Sequence, residues 1–332
     1  MRMRMRMRTH TRTRTRRNTK AKQQSRSSRT FRRRHSTRRL HGGEKKCLFI
    51  KWGNGIGLGN QLCVYAAATI IKNKLKNWDL CMPPPKHNPH TSTDYRFLFK
   101  QGRSVGGEED INARMDAAIL VHKNKNIRHG SWKNIDLVMN SGDPLENTTK
   151  NLRMKTTNEP EGGYYQNYGS IEPAIGAIRE ELMSELASRY ESQVEDPETS
   201  AFIHIRHGDY HSNNMKASMD YYKAAKARLE QEKSIRTIYI ISEPSGIDWA
   251  NGEGLVKEEG KKLVTIDELD ELKVLFMMGQ CKAGACISPS TYSMWGAILG
   301  PGTNDRSVIT YPSKWIHLSG KDLFFPERWI QI

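Results

Sequence analysis

Three places in the chain gather residue types that can grip an anion or move a proton. The first is FIHIRHGDY, residues Phe202 to Tyr210. Side chains alternate along a strand, so Ile203 and Ile205 share one face while His204 and Arg206 share the other. A strand buried in a parallel sheet reads as a nearly continuous apolar run. Two polar residues on one face depart from that rule, and Gly208 then breaks the strand beside Asp209. Open α/β sheets bind ligands at the carboxyl ends of their strands. There Arg206 would present a planar fork of donors suited to phosphate oxygens. The plain structural alternative pairs Arg206 with Asp209 or another acid and leaves His204 as a satisfied core histidine.

The second place is CISPSTYSMWGAILG, Cys286 to Gly300. An apolar strand ends at Ser288, Pro289 blocks further pairing, and Ser290, Thr291 and Ser293 open a helix. Hydroxyls and backbone N–H groups collect there, with the positive end of the helix dipole behind them. Ordinary N-capping explains the same residues, since Ser and Thr are common caps. The third place is GNGIGLGNQ, Gly53 to Gln61, whose glycines permit close backbone approach. It does not complete the dinucleotide fingerprint in a useful context, and no Walker lysine follows. Asn60, at the expected start of a helix, is a cap or a sugar ligand. No metal-binding motif is evident. Asp267, Glu268, Asp270 and Glu271 lie together at a helix N-terminus, where the dipole alone favours acids.

The elements that must position these residues follow from periodicity. CLFIKW reads as a strand, the glycine-rich stretch as a turn, and QLCVYAAATIIKNKLKN as a helix, which makes half of a βαβ unit. Residues 82–170 give no clear pattern. In 173–193, Ile175, Ile178, Leu182 and Leu186 recur at three- and four-residue steps, the mark of a helix with one buried stripe. After the EDPETS linker the chain alternates. AFIHIR, RTIYIIS, AGACIS and SVITYP read as strands, and ASMDYYKAAKARLEQE, IDELDELKVLFMMGQCK and TYSMWGAILG as helices. Strands separated by helices imply parallel βαβ units covered on both faces. Two α/β domains are therefore expected, 47–195 and 196–332, with a cleft between them.

Charge locates a separate segment. Of 53 Lys and Arg, 17 fall in residues 1–39, which hold no acid, so 36 remain from Leu40 onward against 36 Asp and Glu. The body is neutral and the formal excess of +17 belongs to the tail. With its Met-Arg and Thr-Arg alternation, the tail (1–46) is expected to be disordered. It is either an arm for polyanions or a low-complexity extension. No apolar run approaches the roughly 18–20 residues needed to span a bilayer. The five cysteines lack CxxC spacing and read as reduced thiols. Asn147-Thr148-Thr149 is a glycosylation sequon.

Three stretches, in order, resemble the α-1,2-fucosyltransferase family. Gly57-Leu58-Gly59-Asn60-Gln61, followed by VYAAA, is similar to the family's first motif. His204 to Tyr210 resembles its His-x-Arg-Arg-Gly-Asp-Tyr. PSTYSMWGAIL, Pro289 to Leu299, resembles its Asn-Ser-Ser-Phe-Ser-Trp-Trp-Ala-Ala-Trp-Leu. YYKAA, YIISEPSGIDW and the closing FPERWIQI fit as context. The match covers roughly 48–332, thinly between 82 and 160. There are departures. His207 replaces the second Arg, Pro289 an Asn, Tyr292 a Phe and Met294 a Trp, and Val274 stands where the family usually has an Asp.

The resemblance implies a GT-B-like α/β fold, two Rossmann-like domains facing across a cleft, with the donor nucleotide in the C-terminal one. It implies transfer of L-fucose from GDP-fucose to the 2-hydroxyl of a galactose-terminated glycan, with inversion and with no metal or other cofactor. Arg206 is expected to hold the donor phosphate and, with Asp209, to form the catalytic pair; His204, Ser290, Thr291 and Ser293 are expected on the donor. Gly59, Asn60 and His207 are expected on sugar or acceptor. Asp209 either takes the acceptor proton or holds Arg206 in place, and His207 is the other candidate base. Competing readings are a protein O-fucosyltransferase, a non-catalytic homologue, and a nucleic-acid-binding protein acting through the tail. Animal relatives sit in the Golgi on a membrane anchor. The chain as written shows no such anchor, and a cytoplasmic or otherwise soluble enzyme is the first expectation.

Overall fold

A computed structural model gives the fold. It describes residues 46–50, 57–74, 78–82, 94–104, 118–121, 168–258, 260–315, 318–319 and 325–332. All of them belong to one compact unit, 44–332. The tail before Lys46 and the sequon at Asn147 lie outside the described residues. Lys46, assigned above to the tail, instead opens the first strand.

The first sheet uses β1 (Lys46–Ile50), β2 (Trp78–Met82), β3 (Gly102–Ser104) and β4 (Ala118–Val121), with α1 (Leu58–Lys74) after β1. Its order is β3-β2-β1-β4 and every pairing is parallel. Helix α2 (Tyr168–Ala187) follows. It begins before the expected start, and Pro173 inside it gives up one helical bond. Its stripe is as the periodicity predicts, with Ile175, Ile178, Leu182 and Leu186 all buried.

The second sheet begins with β5 (Ser200–His204). Then come α3 (Gly208–Ser212), α4 (Met219–Glu230), β6 (Thr237–Ile241), α5 (Pro244–Gly252), β7 (Lys262–Ile266), α6 (Glu271–Gln280), β8 (Gly284–Cys286), α7 (Thr291–Leu299) and β9 (Val308–Tyr311). β10 (Lys314–Trp315) and β11 (Leu318–Ser319) form a small antiparallel pair, and β12 (Ile330–Gln331) rejoins the main sheet. The order is β12-β9-β8-β5-β6-β7, parallel throughout. Strands added after β5 run outward to one side, and those from β8 onward to the other. That is the Rossmann order, and it makes β5 and β8 the point of reversal. β1 and β4 are the matching point in the first sheet. The expected α/β class with two Rossmann-like sheets is present. Sequence reading missed α3, α5, β7 and β12, and started α6 too early, at Ile266, which instead closes β7.

Alternation along the strands splits the packing in two. Ala201, Ile203 and Ile205, with Ile238 and Ile240, face a cluster built on α4 and α5. Phe202, Tyr239, Ile241, Ala285 and Ile287 face the other way, into a cluster that also contains residues of α1, α2, α6 and α7. This second cluster takes in side chains from both sheets, so one apolar core binds them together. His204 shares the parity of Phe202 and points toward that core. Cys81 is disulfide-bonded, which corrects the expectation of a reduced thiol there; Cys63, Cys281 and Cys286 are free and buried. The spacing rule missed it because Cys81 belongs to no CxxC pattern.

Candidate active site

β5 and β8 pair directly, so the residues that leave their carboxyl ends emerge side by side. From β5 comes Arg206, two positions past the last strand residue. From β8 come Ser288, Pro289, Ser290 and the first turn of α7. The two motifs singled out from sequence thus meet at the sheet's point of reversal, where parallel α/β sheets bind ligands.

Arg206 and Asp209 form an ion pair, Nη2 to Oδ1 at 2.8 Å, with side chains 41% and 44% exposed. The guanidinium also lies 5.3 Å from the centre of the Tyr210 ring. Pairs this exposed are worth about 0–1 kcal/mol. Asp209 therefore orients Arg206 at little cost to a competing anion, and most of the guanidinium's five N–H groups stay available.

His204 is buried, and its ring lies 5.5 Å from that of Tyr292. Burial, with the nearby charge of Arg206 adding to it, pushes its pKa down to about 3. It is neutral at working pH. Its stability effect has a defined sign. The unfolded histidine takes up a proton near pH 6.5, whereas the folded one does so only near 3. Stability from this group is complete above pH 6.5 and is lost as pH falls toward 3. Glu271, whose carboxyl burial pushes up to about 7, acts in the opposite direction over part of that range. A comparison with His204→Phe isolates the histidine. Between pH 6.5 and 4 the melting temperature of the variant should fall less steeply than that of the wild type. Parallel curves would show that His204 is not the titrating group.

Ser290 occupies the N-cap position of α7, yet its side chain makes no capping bond. Thr291 Oγ1 donates to Asn60 Oδ1 at 2.7 Å. Ser293 is fully buried and accepts the Ser288 N–H at 3.0 Å. Two of the three hydroxyls expected on the donor, those of Thr291 and Ser293, thus bond to protein partners. Arg206, the Ser290 hydroxyl and the amide-bearing first turn of α7 remain to face an anion here.

The Asn60–Thr291 bond has a wider meaning. Asn60 lies in the first turn of α1, which follows the reversal point of the first sheet. Gly59 is so close to α7 that a Cβ there would lie 2.3 Å from Tyr292 N. The first turns of α1 and α7 are therefore in contact. Each carries a partial positive charge of roughly half a unit, and such ends attract anions. Tyr292 extends from the same turn, and its hydroxyl donates to the Glu271 carbonyl.

His207 is engaged elsewhere. Its ring stacks on His211 at 4.7 Å and on Trp249 at 5.3 Å, and Nδ1 is 3.2 Å from Ser245 Oγ. Desolvation, and then the neighbouring His211 and Lys216, hold its pKa below the usual range. All these partners belong to α3, α5 or the segment after α3. A cavity of about 750 Å³ lies beyond α3, between Asn213–Ser218 and Pro312–Lys314. None of the site residues named from sequence lines it. Among the described residues, no group of three or more His, Cys, Asp or Glu comes together as a metal site. Among them too, no helix is long and apolar enough to cross a membrane.

Sequence reasoning missed Ser288, Tyr222 and Glu243. Tyr222 donates to Ser288 Oγ at 3.2 Å, and Glu243 Oε1 accepts the His207 N–H at 3.0 Å. The only available signal was polarity beside an apolar strand end, which does not say where a hydroxyl points.

The description "Glycosyl transferase family 11" matches residues 56–331. The chain is 24% identical over 314 residues to the O-antigen biosynthesis glycosyltransferase WbnK of Escherichia coli, covering 83% of this chain and 98% of that one. Among solved structures, E. coli heptosyltransferase WaaC with ADP aligns at TM-score 0.42 and 10% identity, over 86% of this chain and 90% of that one. POFUT1 in complex with GDP aligns at TM-score 0.42 and 9% identity, over 80% and 98%.

Proposed function

The chain belongs to glycosyl transferase family 11, and from that premise we propose that it moves L-fucose from GDP-β-L-fucose to the 2-hydroxyl of a galactoside. Transfer inverts the anomeric carbon and requires no metal. The acceptor oxygen attacks C1 of fucose, and the bond from C1 to the phosphate oxygen breaks. The electron pair leaves on GDP, and the hydroxyl proton passes to a base or to solvent. Charge grows on the departing diphosphate, and donors aimed at developing charge are usually the largest catalytic contribution.

One observation carries this reading. Arg206 stands at the sheet's reversal point beside the joined first turns of α1 and α7. A guanidinium and two helix N-termini provide fixed positive charge where the diphosphate would part from the sugar. In this proposal Asp209 holds Arg206 and Asn60 meets the sugar side. The E. coli relative works in O-antigen biosynthesis, which supports a glycan acceptor over a folded protein.

A nucleotide-sugar panel tests the proposal. GDP-fucose should be bound and turned over, UDP- and CMP-sugars should not, and EDTA should leave the rate unchanged. The product should carry an α-1,2 linkage by NMR. Preference for another nucleotide, or loss of activity with EDTA, would overturn the donor or the metal-free chemistry respectively.

A further inference from the structure

The end of the β5–β8 ladder is built in an unusual way. The parallel register pairs Ile203 with Cys286, so one more step would pair Ile205 with Ser288. In a continued ladder the Ser288 amide would donate to the His204 carbonyl, and the Ser288 carbonyl would accept the Arg206 N–H. Neither bond forms. The Ser288 amide turns to Ser293 Oγ at 3.0 Å, and its carbonyl accepts the Ser290 N–H at 2.7 Å. The Ser288 side chain takes over both rungs. Oγ donates to the His204 carbonyl at 2.5 Å and accepts the Arg206 N–H at 2.9 Å.

This hydroxyl is fully employed. A serine hydroxyl has one proton and two lone pairs. The proton goes to His204, and the lone pairs accept Arg206 N–H and Tyr222 O–H, the latter at 3.2 Å. Ser288 is completely buried, so an unmet bond there would not be repaired by bulk water. The arrangement lets the backbone of β8 peel away from β5 into α7 while the two chains stay tied. Separation of the strands opens the corner, and the tie fixes where Arg206 leaves the sheet.

We propose that Ser288 is a positioning residue, a side-chain rung that sets the backbone of Arg206 against the first turn of α7 and so shapes the diphosphate site. The inference rests on the reading of that corner as a diphosphate site.

The experiment measures binding of GDP and of inorganic pyrophosphate by calorimetry, and turnover, in wild type, Ser288→Ala, Arg206→Ala and the double variant. Pyrophosphate reports on the corner whatever the sugar or base. Ser288→Ala should weaken pyrophosphate and GDP binding about tenfold and lower kcat as well. Added to Arg206→Ala, it should cost less than twofold more, because a residue that acts through Arg206 has nothing left to position. Ser288→Cys keeps the shape and a weak donor. It should fold and give an intermediate loss, which keeps the test alive if the alanine variant is unstable. Independent, multiplying losses in the double variant, or wild-type binding in a folded Ser288→Ala or Ser288→Cys protein, would overturn the positioning role alone. A wild type that binds neither GDP nor pyrophosphate would remove the diphosphate site itself, and this inference with it.

Discussion

Arg206→Ala is expected to lower turnover at least a hundredfold while the protein stays folded. Loss of one donor aimed at developing charge costs about 2.7–4 kcal/mol of barrier, and Arg206 is the side-chain cation at the corner where β5 and β8 end. Its ties to the rest of the protein are slight. The side-chain partner is Asp209 in a half-exposed ion pair, and such pairs contribute about 0–1 kcal/mol to stability. The melting temperature should therefore change little. Arg206→Lys keeps the charge but loses the fork, so it should recover only part of the rate. Kinetics near wild type in a folded Arg206→Ala protein would take the guanidinium out of the mechanism.

That prediction uses a residue visible in the sequence, and the reason it was visible is physical. A parallel strand is expected to be apolar on both faces, so His204 and Arg206 stood out against Phe202, Ile203 and Ile205. The same logic located β6, β8 and β9 and the buried stripe of α2, where apolar runs or three- and four-residue steps dominate. It failed at β7. KLVTI is an edge strand with all five of its residues partly or fully exposed, so it lacks the apolar run that marks its neighbours. It failed also at α5, where PSGIDWANG looks like a turn. Pro244 there is in fact at the start of the helix, a position that suits proline's fixed φ and missing N–H.

Within the site, residue types were legible and partners were not. The Arg206–Asp209 pair follows from a three-residue step. The Thr291–Asn60 bond joins residues 231 positions apart, and nothing local signals it. Ser290 shows the same limit from the other side. Its position is that of a helix cap, yet its hydroxyl makes no capping bond. Sequence can place a hydroxyl at a helix start, but whether it turns back to cap that helix is decided by packing.

The contact between α1 and α7 leads to the second large effect. Gly59→Ala should cut activity by more than a hundredfold. An alanine Cβ at this position would lie 2.3 Å from Tyr292 N and 2.7 Å from both Thr291 C and Tyr292 Cα. These are backbone atoms of another helix, so no side chain can swing aside. The first turns of α1 and α7 must separate, and with them the Asn60–Thr291 bond. Overpacking of this kind costs about 1–3 kcal/mol of stability, so a lower melting temperature should accompany the loss of rate. Gly57→Ala supplies the control from the same glycine-rich stretch, because a Cβ there meets nothing within 4 Å. If the stretch only needs flexibility, the two variants should behave alike. If it needs α1 to touch α7, Gly57→Ala should stay close to wild type in rate and melting temperature while Gly59→Ala falls on both. Equal, mild effects would show that the joined helix ends are not what the reaction depends on.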